Sequence, residues 1–204
     1  DYLILSHAHI DHSGGIPALV KQGFKGRIYC TSATRDLSVI MLTDTAHIQE
    51  NDITYLNEKR ARKNLPQLKP LYTVRDVEKA MELFYTVPYR KPHHINGDIV
   101  VEFFDSGHIL GAAGIHLTVK ENGKTTRIFF TGDIGRKSDK ILKNPEPFSQ
   151  ADILICESTY GNRLHKGTEA TEQKLLEVLL RTCVEQKGKL VIPAFSLGRT
   201  QEVV

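Results

Sequence analysis

Tryptophan is absent from the 204-residue sequence, which also has only two methionines and three cysteines. The cysteines are odd in number, lie far apart and have no CxxC spacing, so neither a disulfide framework nor a thiolate metal site is indicated. No apolar run approaches the roughly 20 residues that a membrane helix needs. The first residues also lack the basic region and the apolar stretch of a signal peptide. We therefore expect a cytoplasmic protein with no membrane segment.

A strong excess of one charge is missing as well. Lysine and arginine exceed aspartate and glutamate by 27 to 24, so the net charge is +3. This excess is weaker than a dedicated nucleic-acid-binding arm shows, and charge balance alone identifies no partner. Apolar residues make up 40% of the chain, which is enough to fill a sizeable core and excludes a linker or a disordered tail.

The periodicity of apolar residues predicts strands and helices in mixed order. Strands are predicted over 2–6, 27–31, 99–104, 114–120, 125–131 and 189–193, and a buried strand is predicted over 151–156. Helices are predicted near 16–22, within a helical block over 32–84, and over 168–187. An Asn122-Gly123 turn joins two of the strands as a hairpin. This order favours an α/β fold class, in which helices layer a sheet, over a doubly wound nucleotide fold.

Three histidines and an aspartate lie within six residues of one another, directly after the first predicted strand. His7 and His9 lie on the same side of an extended chain, because its side chains alternate, and imidazole is the commonest zinc ligand. Asp11 and His12 follow the strand and can turn towards a second ion, since four ligands from one hexapeptide crowd a single tetrahedral ion. The segment predicts a metal site.

Two further loops offer a polar residue after an apolar strand. His108 follows the strand over 99–104 between two glycines, and Asp133 follows the strand over 125–131 in the same way. Taken alone, each is more typical of an ordinary polar loop. With the histidine-rich segment upstream, we predict that both are metal ligands.

Taken in order, the motifs at 7–12 (HAHIDH), 106–112 (SGHILGA) and 131–136 (TGDIGR) resemble those of the metallo-β-lactamase fold of binuclear metallohydrolases. The motif at 157–163 (ESTYGNR) resembles the first signature of the β-CASP nucleases, and 193–202 (PAFSLGRTQE) resembles the entry to their inserted domain. The group includes RNase J, Artemis and the endonuclease subunit of the cleavage and polyadenylation specificity factor. The similarity is strongest to that RNA-processing subunit and its prokaryotic relatives.

The resemblance implies an αββα sandwich, here expected to be truncated at both ends. It places the metallo-β-lactamase core, without its N-terminal strands, at 1–188 and the start of the β-CASP insertion at 189–204. The resemblance places a further ligand of the second ion beyond the last residue. Without that ligand, the second ion is expected to be held loosely.

The resemblance also implies the roles of individual residues. It assigns His7, His9 and His108 to one Zn²⁺ ion, Asp11 and His12 to a second Zn²⁺ ion, and Asp133 to both. The catalytic residues implied are Asp11, Asp133 and Glu157, the last orienting a later histidine. Arg136 and Ser158 are predicted substrate contacts, Arg136 because a phosphate oxygen would lie close beside the metal ions that Asp133 holds.

The implied activity is hydrolysis of RNA, rather than DNA, by a water that two metal ions activate. A homodimer or a processing complex is the expected assembly, with no membrane partner. Two alternatives remain open: a thioester or lactone hydrolase of the same fold, and a catalytically inactive scaffold that binds RNA.

Other charged and histidine positions carry weaker signals. The cationic run at 58–63 is typical of a solvated helix face, with contact to phosphates as the alternative. We expect His93 and His94 to lie in a solvated surface loop. The other three histidines, His47, His116 and His165, are expected to be structural or exposed.

Overall fold

A computed structural model describes residues 1–137, 139, 141–148, 150–162 and 168–203. The chain divides into two units, Asp1–Glu157 and Ser158–Val204, which are described separately. The strands of the first unit are β1 (Tyr2–Ile4), β2 (Arg27–Cys30), β3 (Phe84–Thr86), β4 (His93–His94), β5 (Ile99–Asp105), β6 (Ala113–Glu121), β7 (Lys124–Phe130) and β8 (Ile153–Ile155). Its helices are α1 (Ile10–Ser13), α2 (Ile16–Lys21), α3 (Ser32–Ala61) and α4 (Val74–Met81).

The eight strands form two sheets. The first sheet has the order β1-β2-β3, and all its strands are parallel. The second has the order β4-β5-β6-β7-β8, antiparallel except for the parallel β7–β8 pair. Asn122 and Gly123 both have positive φ in the β6–β7 turn, which confirms the predicted hairpin.

The core lies between the two sheets and between the first sheet and its helices. One buried cluster joins residues of both sheets: Tyr29, Val87, Val101, Phe103, Ala113 and Ile115. A second joins the first sheet to α2 and α4: Leu5, Ile16, Ile28, Cys30, Ala80 and Phe84. Apolar faces of strands and helices are thus buried against one another in layers, which confirms the predicted α/β class.

Local capping explains where the two longest helices of this unit begin. Thr31 is the N-cap of α3, where its side chain accepts a hydrogen bond from the Thr34 N–H at 3.2 Å. At the start of α4, Asp76 in the first turn accepts hydrogen bonds at Oδ2 from the N–H and the hydroxyl of the N-cap residue Thr73, at 3.0 and 2.9 Å.

Three predictions about this unit were wrong. The predicted helical block ends in β3 rather than in a helix, because its last residue, Phe84, begins that strand and packs into the core. His93 and His94 form β4 instead of a loop, and the His93 ring lies 5.0 Å from that of Tyr85. The apolar run at 153–155, predicted to be buried, is exposed; among the described strands, β8 lies at the edge of its sheet beside β7.

The second unit contains α5 (Thr168–Leu179), a π-helical segment (Leu180–Glu185) and α6 (Arg199–Val203). Residues 189–193, predicted to be a strand, have no regular secondary structure in the part of the chain that the structure describes. Among the described residues, no helix combines the length and apolar character needed to cross a membrane. The predicted domain boundary at 188 stays a prediction.

Candidate metal centre

The predicted ligands meet where strands of the two sheets end. β5 and β7 run in the same direction, because each is antiparallel to β6, so their carboxyl ends share one edge of the second sheet. β1 reaches the same place from the first sheet, where the Ser6 carbonyl accepts a hydrogen bond from the Ala113 N–H at 2.9 Å. Loops from three distant parts of the sequence therefore converge.

A short turn folds the histidine-rich segment back on itself after β1. The N–H groups of His12 and Ser13 donate to the His9 carbonyl at 3.0 and 2.9 Å, which starts α1. The Ser13 hydroxyl donates to the Ala8 carbonyl at 2.9 Å. As a result, the His7 ring lies 5.0 Å from that of His9 and 4.1 Å from that of His12.

Four predicted ligands form a tight cluster, which we call the inner group: His7, His9, His108 and Asp133. Each offers one ligand atom, and these atoms all lie within 4.8 Å of one another. His108 Nε2 is 3.1 Å from His9 Nδ1 and 3.4 Å from Asp133 Oδ2, and His7 Nε2 is 3.7 Å from the same oxygen. Ligands of a tetrahedral Zn²⁺ ion lie about 3.3 Å apart, so the spacing of the inner group fits a metal ion.

His7 is the most buried member of the inner group. Its Nδ1 lies 3.2 Å from the buried Ser6 hydroxyl, whereas its Nε2 makes no hydrogen bond with any described residue. Burial, together with the smaller effect of the neighbouring histidines, lowers the pKa of His7 to about 2. A neutral ring whose Nδ1–H donates to Ser6 keeps a lone pair on Nε2, which is the form that binds a metal.

His108 is held in the same neutral form. Burial lowers its pKa, although the Asp133 carboxylate acts in the opposite direction. Its loop depends on Gly107, whose φ is +65°, a conformation that favours glycine. A Cβ atom at Gly107 would also meet the Lys143 carbonyl oxygen at 2.5 Å, so a side chain there would displace the loop.

Asp11 and His12 form a second, more open set, which we call the outer group. Their closest approach, between Asp11 Oδ2 and His12 Nε2, is 3.7 Å. The Asp11 side chain is 78% exposed, whereas that of His12 is 24% exposed. The two oxygens of Asp133 face different groups, since Oδ1 lies 3.3 Å from His12 Nε2 and Oδ2 lies near His7 and His108.

Glu157 braces the loop that carries Asp133. Its Oε1 accepts a hydrogen bond from the Ile134 N–H at 2.6 Å, directly after Asp133. Its own N–H donates to Thr131 Oγ1 at 3.3 Å, and the Thr131 hydroxyl donates to the Gly132 carbonyl at 2.7 Å. The loop on both sides of Asp133 is therefore fixed by side chains.

The sequence analysis missed Ser6 and Thr131 as supports of the site. Both are buried polar residues at the carboxyl end of a strand, one beside His7 and the other two residues before Asp133. Their position after a strand and close to a predicted ligand could have identified them, because a buried hydroxyl there needs a hydrogen-bond partner.

The implied substrate contacts lie in different units. Arg136 is exposed in the loop after Asp133, as is Lys137. Ser158 belongs to the second unit, where its carbonyl accepts a hydrogen bond from the Gly161 N–H at 2.9 Å. The end of the motif at 157–163, Arg163, and also His165 lie outside the described residues. Both substrate contacts stay predictions.

A family model described as the metallo-beta-lactamase superfamily domain matches residues 1–157. The match covers the whole of the first unit, including every residue of the inner and outer groups. The chain therefore belongs to the metallo-β-lactamase superfamily.

Three curated relatives are similar to the chain over its whole length. Transcription termination factor FttA of Pyrococcus abyssi and Cleavage and polyadenylation specificity factor 73 of Drosophila melanogaster are each 35% identical to it. The RNase J-like protein of Methanocaldococcus jannaschii is 37% identical. The chain covers 30%, 27% and 42% of these relatives, respectively, so it spans less than half of their length. The predicted similarity to β-CASP RNA-processing nucleases is confirmed.

Proposed function

We propose that the protein is a metal-dependent phosphodiesterase that hydrolyses RNA. The observation that supports this most directly is the shared carboxylate, since the oxygens of Asp133 face the inner group and the outer group separately. A carboxylate between two ligand sets is the arrangement that a two-metal hydrolase needs. Hydrolysis is the reaction class that follows.

The donor set fits zinc. The inner group offers three imidazole nitrogens and one carboxylate oxygen at tetrahedral spacing, and the outer group offers an imidazole and a carboxylate. His7, His9 and His108 would hold one ion, Asp11 and His12 a second ion, and Asp133 both. When bound, such a pair of ions lowers the pKa of water towards neutrality and stabilises the charge that develops on an attacked phosphate.

The protein's own residues orient the reactants. Asp11 is exposed beside His12, so its carboxylate is accessible to accept a hydrogen bond from the attacking water. Arg136 and Lys137 follow Asp133 and make no ion pair with a described residue, which leaves their charges available to phosphate oxygens. Glu157 keeps Asp133 in place through the Ile134 N–H.

RNA is favoured as the substrate by what the relatives are named for. One is an RNase J-like protein, and another is a cleavage and polyadenylation factor. Neither name refers to a thioester or a lactone. A cytoplasmic location and a homodimer or processing complex stay predictions.

The test is to incubate the full-length, zinc-loaded protein with labelled RNA, DNA, a lactone and a thioester under matched conditions. We expect RNA to be cleaved fastest. An Asp11→Ala variant, purified in parallel, controls for contaminating nucleases and should be much slower. Fast thioester or lactone turnover with intact RNA would instead favour a small-molecule hydrolase. Inertness towards all four substrates at full metal occupancy would favour a scaffold.

A further inference from the structure

Positive charge is concentrated in one short segment at the end of α3. Residues 58–69, which we call the basic tip, contain five lysines or arginines and one glutamate, a net charge of +4. The whole chain has a net charge of +3, so the rest of the sequence is net −1. The mild charge of the chain therefore hides a strongly basic segment.

The part of α3 that leads to the basic tip contributes nothing to the core. The last buried residue of the helix is Ala46, and no side chain from 47 to 69 is buried. The stretch from 47 to 61 is about 22 Å of helix. Because most helical stability in proteins comes from packing an apolar face, a stretch that buries none points to a role at the surface.

The basic tip nevertheless has a defined shape. Asn57 holds the returning chain through two hydrogen bonds, since its Nδ2 donates to the Leu68 carbonyl at 2.9 Å and its Oδ1 accepts from the Leu68 N–H at 2.7 Å. Arg60 Nε donates to the Pro66 carbonyl at 2.6 Å. The cations are therefore displayed on a folded turn.

Most of these cations are not used within the protein. Lys59 lies over the Tyr55 ring, 4.1 Å from its centroid, and with Arg60 it occupies the last helical turn, where cations stabilise the helix. Arg62, Lys63 and Lys69 follow the last helical residue. All three are exposed, and none forms an ion pair with a described residue.

We propose that the basic tip binds the phosphate backbone of an RNA strand and so helps to hold the substrate of the metal centre. The inference rests on the proposed function for the choice of RNA as the polyanion. A strand of RNA carries one negative charge per nucleotide, and cations that neutralise its phosphates gain affinity by releasing counterions. Unpaired, exposed cations on a fixed turn meet that requirement.

The test compares two charge-neutralised pairs in the full-length, zinc-loaded protein carrying Asp11→Ala, so that RNA stays intact. One variant adds Arg62→Gln and Lys63→Gln. The matched control adds Lys120→Gln and Lys124→Gln at the β6–β7 hairpin, which removes the same charge from exposed positions. Fluorescence anisotropy gives the Kd for a labelled single-stranded RNA over a series of salt concentrations, and thermal unfolding verifies the fold.

We expect the tip variant to raise the Kd about 10-fold or more near 0.1 M salt and to reduce the salt slope of log K by about 1.4, with little change in the control. An equal effect of both pairs would refute the proposal, because only net charge would matter. No effect of either would refute it too, and would leave the exposed Tyr55 and Leu56 as contacts for a protein partner. Cleavage of RNA is measured separately with Asp11 intact. A failure of the proposed function can therefore be distinguished from a failure of the basic tip to bind RNA.

Discussion

The inner and outer groups differ in how firmly the fold holds them. His7 of the inner group is buried, and Ser6 lies beside its ring. Asp11 of the outer group is 78% exposed and follows the strand on a short helix. Both groups take ligands from the same hexapeptide, so the difference arises from the surrounding fold rather than from the motif.

This difference indicates an order of metal binding. In the inner group, the cost of gathering three histidines and a carboxylate is met when the sheets pack, because their ligand atoms already lie within 4.8 Å. In the outer group, a bound ion would have to order an exposed aspartate. We therefore infer that the inner group takes the first equivalent of metal.

The largest effect is expected from Asp133→Ala, which removes a ligand from both groups. RNA hydrolysis should fall by more than about 100-fold, since even changes to the partners of metal ligands cost about 10–100-fold. Arg136→Ala would remove only the proposed phosphate contact, so the catalytic efficiency of that variant should fall about 10-fold. Steady-state kinetics on labelled RNA makes the comparison. Near-wild-type hydrolysis by the Asp133 variant would refute the shared carboxylate.

Removing His7 tests the inner group alone. His7→Ala should weaken binding of the first metal equivalent by more than about 100-fold, because it deletes a buried ligand rather than a supporting residue. Competition with a coloured chelator measures the affinity. His47→Ala, an exposed histidine on α3, is the control and should bind as the wild type does. Equal affinities for the two variants would show that the inner group does not hold the metal.

A smaller effect is expected when the brace on Asp133 is removed. Glu157→Ala should weaken binding of the first metal equivalent about 10-fold, because the Ile134 N–H loses its acceptor. Glu157→Gln keeps an acceptor oxygen and should restore most of the affinity. If Gln were as weak as Ala, the charge of Glu157 and not its hydrogen bond would be what matters.

The smallest effect on binding of the first metal equivalent is expected from His12→Ala. This variant should lose the second equivalent and retain the first with little change, since His12 belongs to the outer group only. Calorimetric titration with Zn²⁺ resolves the two events. Loss of both equivalents would mean that the two groups fill as one unit and would remove the distinction between them.

The sequence predicted the members of the inner group well because they follow strand ends. His7, His9, His108 and Asp133 were all identified, and the structure brings them together. The hydrogen bond from the Ile134 N–H to Glu157 was not predicted, because it depends on a loop conformation that residue types do not specify.

The fold was predicted less evenly. The hairpin of β6 and β7 carries a strong local signal, the Asn122-Gly123 turn, and was correct. The short strand β3 was missed because a brief apolar run after a helix fits either state. The exposure of β8 was missed because an apolar run does not reveal whether a neighbouring layer covers it.

Anomalous diffraction from the full-length protein crystallised with one molar equivalent of Zn²⁺ tests the order of binding most directly. The predicted result is one strong peak among His7 Nε2, His9 Nδ1, His108 Nε2 and Asp133 Oδ2, with little or no density beside Asp11 and His12. A peak beside Asp11 and His12 with none in the inner group, or with the His108 ring turned away from His7 and His9, would contradict it.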